Sequence, residues 1–121
     1  MAPPVLAVHG ALSRGVLAVT VLVSLAVLFT PGDDVPSAPA GVDKLIHFTL
    51  FAVLALAGRW AGLRTLPLGL LLVAYAAVSE VIQWLGPLDR DGSVADGLVD
   101  VLGVGVALLV WTALSRNTRS R

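Results

Sequence analysis

Four apolar stretches, at about residues 11–30, 43–58, 66–85 and 94–114, account for most of this chain of 121 residues. A helix needs about 20 apolar residues to cross the roughly 30 Å hydrocarbon core of a bilayer. Hydrophobic residues make up 57% of the chain and charged residues 13%, whereas a soluble domain averages about 45–50% and about 25%. A chain this short cannot bury so much apolar surface in a core of its own. The sequence therefore predicts an all-α integral membrane bundle of four transmembrane helices, folded as a single domain over residues 1–121.

Charged residues are sorted between the two sides of this predicted bundle. When the four segments cross a bilayer alternately, every carboxylate lies at or near one side, and the arginines other than Arg90 lie at the other. Lys44 and Arg90 are the cations on the acidic side. Because cytoplasmic loops carry the excess of Lys and Arg, both termini are predicted to be cytoplasmic and residues 31–41 and 86–92 to lie outside. A cleaved signal peptide is the alternative for the first segment, and its removal would leave three spans.

Composition limits the kinds of partner and cofactor. The chain has no cysteine, which removes disulfides and thiolate metal ligands. A nucleic-acid-binding surface would be basic and interspersed with aromatic residues, and the sequence has no such stretch. The sequence therefore predicts the lipid bilayer as a partner and no nucleic acid. It leaves an envelope lipid or a peptidoglycan-related ligand open, and it does not identify a cofactor.

Three clusters of polar residues interrupt the apolar pattern at the acidic ends of the second, third and fourth helices. Their members are Asp43, Lys44 and His47, then Glu80 and Gln83, then Arg90, Ser93, Asp96 and Asp100. Residues three or four apart share one face of a helix, so each cluster forms a stripe along one side. A charged group inside lipid costs about 2.5–3.5 kcal/mol on insertion scales, so the stripes are expected to face the inside of the bundle. Gly103 and Ala107 continue the fourth stripe as a small face against which another helix can pack closely.

Four of these residues are predicted to be catalytic, namely His47, Glu80, Asp96 and Asp100. Histidine titrates near neutral pH, and a histidine beside a carboxylate is suited to acid–base catalysis. Glu80 and Asp100 lie inside the predicted spans, where no helix end needs a cap and lipid cannot solvate a charge. A simple hydrogen bond between His47 and Asp43 is the structural alternative for the histidine.

Five further residues are predicted to bind substrate, namely Asp43, Lys44, Gln83, Arg90 and Ser93. Lys44 and Arg90 lie near helix N-termini, where the helix dipole disfavours a cation. Internal carboxylates or an anionic ligand are expected to offset that cost. N-capping is the alternative role for Asp43 and the favoured one for Ser93, which begins an S-x-x-D capping box. For Gln83 the alternative is a hydrogen bond to a neighbouring backbone group.

The charge balance of the clusters bears on the kind of ligand. Four inner carboxylates face two cations, with His47 neutral, so the site is net negative unless carboxyl groups hold protons. This balance favours proton chemistry, a cationic group or a metal over simple capture of an anion. Zinc is disfavoured by the single histidine of the clusters and by the lack of an H-E-x-x-H motif. A hard cation held by carboxylate oxygens is a less favoured alternative, and no metal ligand is predicted.

The ordered set of motifs resembles the VanZ-like family of small bacterial membrane proteins over residues 42–105. The motifs are Asp43-Lys44-x-x-His47-Phe48, Glu80-x-x-Gln83, and Arg90 with Ser93, Asp96, Asp100 and Gly103. The resemblance implies a four-helix, multi-pass protein of the cell membrane and envelope, with its polar site at Asp43, Lys44, His47, Glu80, Gln83, Arg90 and Asp96. The named member of that family is associated with low-level resistance to the glycopeptide antibiotic teicoplanin. One departure is Asp100, where the family often has asparagine, and it adds a charge or a protonated carboxyl group.

Three functions remain open at the level of sequence. The first is an envelope-facing enzyme that performs acid–base chemistry on a lipid-linked or other envelope substrate. The second is a non-catalytic binding protein that alters envelope or glycopeptide antibiotic access. The third, transport of protons or small solutes, ranks last because a proton path needs ionisable groups across the membrane depth. Beyond Asp100 the fourth helix has only Gly, Val, Ala and Leu over residues 101–110.

Overall fold

Four α-helices and no strand are formed by residues 10–29, 41–85 and 94–119, which are the residues described by the computed structural model. The helices are α1 (Ala11–Phe29), α2 (Val42–Trp60), α3 (Thr65–Trp84) and α4 (Val94–Arg119). The predicted all-α class is therefore confirmed for this part of the chain.

Two helices extend beyond their predicted C-terminal bounds. α2 ends at Trp60 rather than at residue 58, and α4 ends at Arg119 rather than at residue 114. The apolar pattern marks only the length of a helix that can face lipid, whereas the hydrogen-bonded backbone can continue into the interface. A basic residue in the last turn, such as Arg59 in α2, also interacts favourably with the helix dipole.

Three of the four described helices are long and apolar enough to cross a membrane. Their candidate spans are Ala11–Phe29, Thr65–Gln83 and Val94–Arg116. The outer surfaces of these helices expose large apolar side chains, including Leu22, Leu70 and Leu109. An exposed apolar surface of this extent is suited to lipid rather than to water, as expected of a membrane protein.

α2 is the central helix of the bundle. Among the described residues it contacts α1, α3 and α4, whereas α1 and α4 do not contact each other. Phe51 and Leu54 of α2 are fully buried and pack with Leu28 of α1, Leu72 of α3 and Val104 of α4. The other helices therefore cover one face of α2, which includes His47, whereas Leu45, Ile46 and Val53 are exposed.

The polar stripes lie at one end of the bundle. The side-chain amide of Gln83, near the end of α3, donates a 2.6 Å hydrogen bond to the carbonyl of Leu28, near the end of α1. Lys44, near the start of α2, contacts Asp96, near the start of α4. Consecutive helices therefore run in opposite directions, and we call the end where these contacts lie the polar end.

α2 and α4 are in close backbone contact at Gly103. A Cβ atom at this position would lie 2.5 Å from the backbone carbonyl oxygen of Phe48. Ala107, one turn further along α4, is buried, so the predicted small face is confirmed as a helix-packing surface. Gly103 follows Asp100 by three residues and Phe48 follows His47 directly, so this contact holds the two polar side chains at the same level.

Candidate functional site

Three buried side chains from three helices meet at the polar end. Nδ1 of His47 on α2 lies 2.8 Å from Oδ1 of Asp100 on α4. The same nitrogen lies 3.7 Å from Oε1 of Glu80 on α3. The exposed fractions are 1% for His47, 0% for Asp100 and 9% for Glu80. We call these three residues the polar cluster, and all three were predicted to be catalytic.

A second contact between α2 and α4 lies one turn closer to the helix starts. Nζ of Lys44 is 2.9 Å from Oδ1 of Asp96, in an ion pair whose lysine side chain is 49% exposed and whose aspartate side chain is 7% exposed. Lys44 precedes His47 by three residues and Asp96 precedes Asp100 by four. The ion pair therefore lies above the polar cluster, between it and the helix ends, and Asp96 binds Lys44.

The polar cluster lies at a common depth in the bundle. At a rise of about 1.5 Å per residue, His47 is about 7.5 Å from the start of α2 and Asp100 about 9 Å from the start of α4. Glu80 is about 6 Å from the end of α3 by the same measure. Isolated charges at this depth would each cost several kcal/mol to bury. Grouping them inside the bundle lowers this cost through hydrogen bonds and opposite charges.

The structure gives one predicted binding residue, Gln83, a hydrogen bond to the backbone of α1, and it excludes another, Asp43, as a helix cap. Gln83 is fully buried and its amide donates to the carbonyl of Leu28, which is the backbone contact that the sequence left as the alternative. Asp43 is not the N-cap of α2, because the helix begins at Val42 and its N-cap is Gly41, with φ of 91°. A positive φ favours glycine, and the helix begins two residues earlier than an Asp43 cap would require.

The remaining predicted site residues lie outside the part of the chain that can be described. Arg90 and Ser93 fall in residues 86–93, outside the described ranges, and the side chain of Asp43 is likewise not described. The capping box that begins at Ser93 and the placement of Arg90 beside the polar cluster therefore stay predictions.

Several buried polar residues were not singled out from the sequence. Ser24 of α1 and Tyr75 of α3 share a 2.8 Å hydrogen bond between their hydroxyl groups. Ser79 is fully buried and donates to the carbonyl of Ala76 in its own helix. Ser24 and Tyr75 are lone polar residues within apolar stretches and Ser79 adjoins Glu80, and these positions were the available signal. A helical serine can satisfy its hydroxyl on its own backbone, so this signal does not by itself indicate a function.

The polar cluster has the arrangement of a carboxylate-oriented imidazole. When the Asp100 carboxylate is ionised it only accepts hydrogen bonds, and the Nδ1–H group of His47 then donates to it. In the neutral imidazole this leaves the lone pair on Nε2. Enzymes use such a base, oriented by a carboxylate, to take up and return a proton. The three side chains also each offer one metal-ligating atom, and these atoms all lie within 4.8 Å of one another.

Comparisons with known proteins do not extend these observations. No family model, no curated protein and no solved structure matches the chain. Inferences about its function therefore depend on the residues of the polar end and on their geometry.

Proposed function

We propose that the chain is a VanZ-like protein of the cell envelope that crosses the cell membrane four times, and that its polar cluster performs acid–base chemistry on a lipid-linked or other envelope substrate. The observation that supports this most is the contact of the His47 imidazole with the carboxylates of Asp100 and Glu80, at 2.8 Å and 3.7 Å, inside the bundle. The resemblance of the ordered polar motifs to the VanZ-like family supports the envelope setting.

Each residue of the polar cluster has a distinct part in this proposal. Asp100 accepts the Nδ1–H of His47 and so fixes the ring orientation and the tautomer. Nε2 of His47 takes a proton from the substrate and later returns it. Glu80, 3.7 Å from Nδ1, stabilises the imidazolium that forms, since an opposite charge is most effective in a water-excluded site.

The Lys44–Asp96 pair supports an amphipathic substrate. The Lys44 side chain is half exposed near the start of α2, where a lysine reaches toward the headgroup region. An anionic headgroup can therefore approach the lysine while the rest of the substrate extends along the helices. This arrangement would bring the reacting atom to the depth of His47.

A profile of envelope lipids and muropeptides tests the enzyme. We expect a covalent product in cells that make the wild-type chain and its loss in cells that make His47→Gln or no protein. His9, the other histidine of the chain, provides the matched control, and His9→Gln is expected to keep the product. If all profiles are identical while teicoplanin sensitivity still depends on the chain, the protein is a binder that alters antibiotic access and not an enzyme.

The proposed orientation is tested by cysteine labelling in intact cells. The chain has no cysteine of its own, so single substitutions give no background. A membrane-impermeant maleimide is expected to label Ser37→Cys and not Ser120→Cys, because the arginine-rich ends are predicted to be cytoplasmic. Labelling of Ser120→Cys in intact cells would instead put the polar end on the cytoplasmic side.

A further inference from the structure

The polar cluster brings together three side chains that commonly bind metals. His47, Glu80 and Asp100 each offer one ligand atom, and the three atoms lie within 4.8 Å of one another. Ligand atoms around a cation with bonds of about 2.0–2.2 Å are about 3.0–3.5 Å apart. The distances of 2.8 Å and 3.7 Å from Nδ1 of His47 to the two carboxylates bracket this spacing. Both distances from Nδ1 are therefore close to those of a cation site, and the carboxylate oxygens, which lie within 4.8 Å of each other, would draw together around a bound cation.

We propose that the polar cluster is a binding site for one divalent transition-metal cation, with His47, Glu80 and Asp100 as its protein ligands. This site goes beyond the proposed function, because its occupancy can be measured whether or not a substrate is converted. Only its chemical role rests on the proposed function.

The charge at the polar end favours a cation. Among the described side chains of the polar end, the three carboxylates of Glu80, Asp96 and Asp100 outnumber the one cation, Lys44, so an excess of negative charge remains when these groups are ionised. Lys44 is paired with Asp96 in the outer ion pair. Buried charges are generally paired or coordinate metals, and a divalent cation would neutralise the charges of Glu80 and Asp100 together.

The mixed ligand set identifies the class of cation. One imidazole nitrogen and two carboxylate oxygens suit Zn²⁺ or Mn²⁺. Ca²⁺ takes six to eight oxygen ligands, and Mg²⁺ prefers oxygen and retains several waters. Three protein ligands also leave a coordination position open, as in catalytic zinc sites. Such a cation would supply a bound water that ionises near neutral pH. In the metal-bound protein this water, and not the His47 imidazole, would accept the proton of the proposed function.

The sequence did not predict this site, for an identifiable reason. Metal motifs such as H-E-x-x-H place their ligands on one helix, whereas these ligands come from α2, α3 and α4. The rotation of each helix about its axis decides whether they meet. The packing of Gly103 against Phe48 sets that rotation for α2 and α4.

Metal content of the purified full-length chain tests the site. The protein in lipid nanodiscs is stripped with a chelator, loaded with Zn²⁺ or Mn²⁺, desalted and analysed by elemental mass spectrometry. We expect about one Zn²⁺ per chain, retained against a hundredfold excess of Ca²⁺. His47→Gln, Glu80→Gln and Asp100→Asn are each expected to lower the affinity for Zn²⁺ at least tenfold while keeping the helical circular dichroism of the wild type.

The control removes the neighbouring ion pair without changing the net charge. The double variant Lys44→Gln with Asp96→Asn is expected to bind Zn²⁺ within about threefold of the wild type, because neither residue belongs to the metal-ligating group. A wild-type chain that binds no more Zn²⁺ than the folded Asp100→Asn variant would overturn the proposal. So would loss of binding in the double variant together with retention in the three single variants.

The same preparation separates this proposal from the proposed function. A wild-type chain without Zn²⁺ whose envelope product still depends on His47 would refute the metal site and leave the acid–base proposal standing. A chain that binds Zn²⁺ at the polar cluster but changes no envelope profile would support the metal site and refute the enzyme.

Discussion

Replacement of Glu80 by glutamine is expected to abolish activity while leaving the protein folded in the membrane. The change keeps the size and hydrogen-bonding capacity of the side chain but removes the charge that lies 3.7 Å from Nδ1 of His47. Loss of one electrostatic stabiliser of a transition state typically lowers a rate by about 10²–10³-fold. The envelope product made by cells gives the rate, and the membrane yield and gel-filtration profile of the variant report on its folding.

A purely structural Glu80 would give a different pattern. If this carboxylate only balanced Arg90, removal of both charges would restore stability and function, because two coupled partners are non-additive. We expect Glu80→Gln combined with Arg90→Gln to stay inactive. Recovery of the product in the double variant would show that Glu80 is a structural partner and would contradict its proposed catalytic role.

Gly103→Ala adds only one methyl group, but it is expected to destabilise the folded protein strongly. The new Cβ would lie 2.5 Å from the carbonyl oxygen of Phe48 and 3.3 Å from the backbone nitrogen of Ala52. Backbone atoms cannot move aside as the end of a side chain can, so α4 must shift away from α2. Overpacking of this kind costs about 1–3 kcal/mol, which should lower the midpoint of thermal unfolding in detergent by several degrees.

Gly105 provides the matched control on the same helix. A Cβ atom at Gly105 would have nothing within 4 Å, and alanine is favoured over glycine inside a helix by about 1 kcal/mol. Gly105→Ala is therefore expected to keep or raise the unfolding midpoint. Equal midpoints for the two variants would mean that α2 and α4 are not in close contact at Gly103. Because the same contact sets the level of His47 and Asp100, Gly103→Ala should also weaken binding at the polar cluster.

The local features of the fold were predictable from the sequence, because they depend on neighbours along the chain. Apolar length predicted the four helices that the described residues form, and the spacing of Asp96 and Asp100 predicted a polar stripe. The small face at Gly103 and Ala107 was predictable for the same reason, since residues four apart lie on one side of a helix. These inferences require no knowledge of how one helix is rotated against another.

The choice of partners across the bundle was not predictable. From the sequence, Asp43 in the same helix was the partner considered for a structural His47, and the structure adds a contact with Asp100 of another helix. Asp96 forms the outer ion pair with Lys44, and its predicted catalytic role stays a prediction. Both contacts depend on the relative rotation of α2 and α4, which the close backbone contact at Gly103 constrains.

The length of a polar helix end was also difficult to predict. α2 carries three charged residues, Asp43, Lys44 and Arg59, and its apolar stretch therefore predicts a span shorter than the helix that forms. α2 packs against α1, α3 and α4, and these contacts, which its composition does not predict, bury one of its faces.

A distance measurement between His47 and Glu80 in a lipid bilayer tests whether the polar cluster forms. Glu80 is the only glutamate of the chain, and with His9→Gln the only histidine is His47. Protein made with carboxyl-¹³C glutamate and ring-¹⁵N histidine therefore reports a single pair of groups by solid-state NMR. We expect a dipolar coupling between the Glu80 carboxyl carbon and Nδ1 of His47 that corresponds to a separation of no more than about 5 Å. This limit is the 3.7 Å between Nδ1 and Oε1 plus one carbon–oxygen bond. Absence of that coupling in the folded protein would mean that the polar stripes do not converge, and the proposed site would not exist.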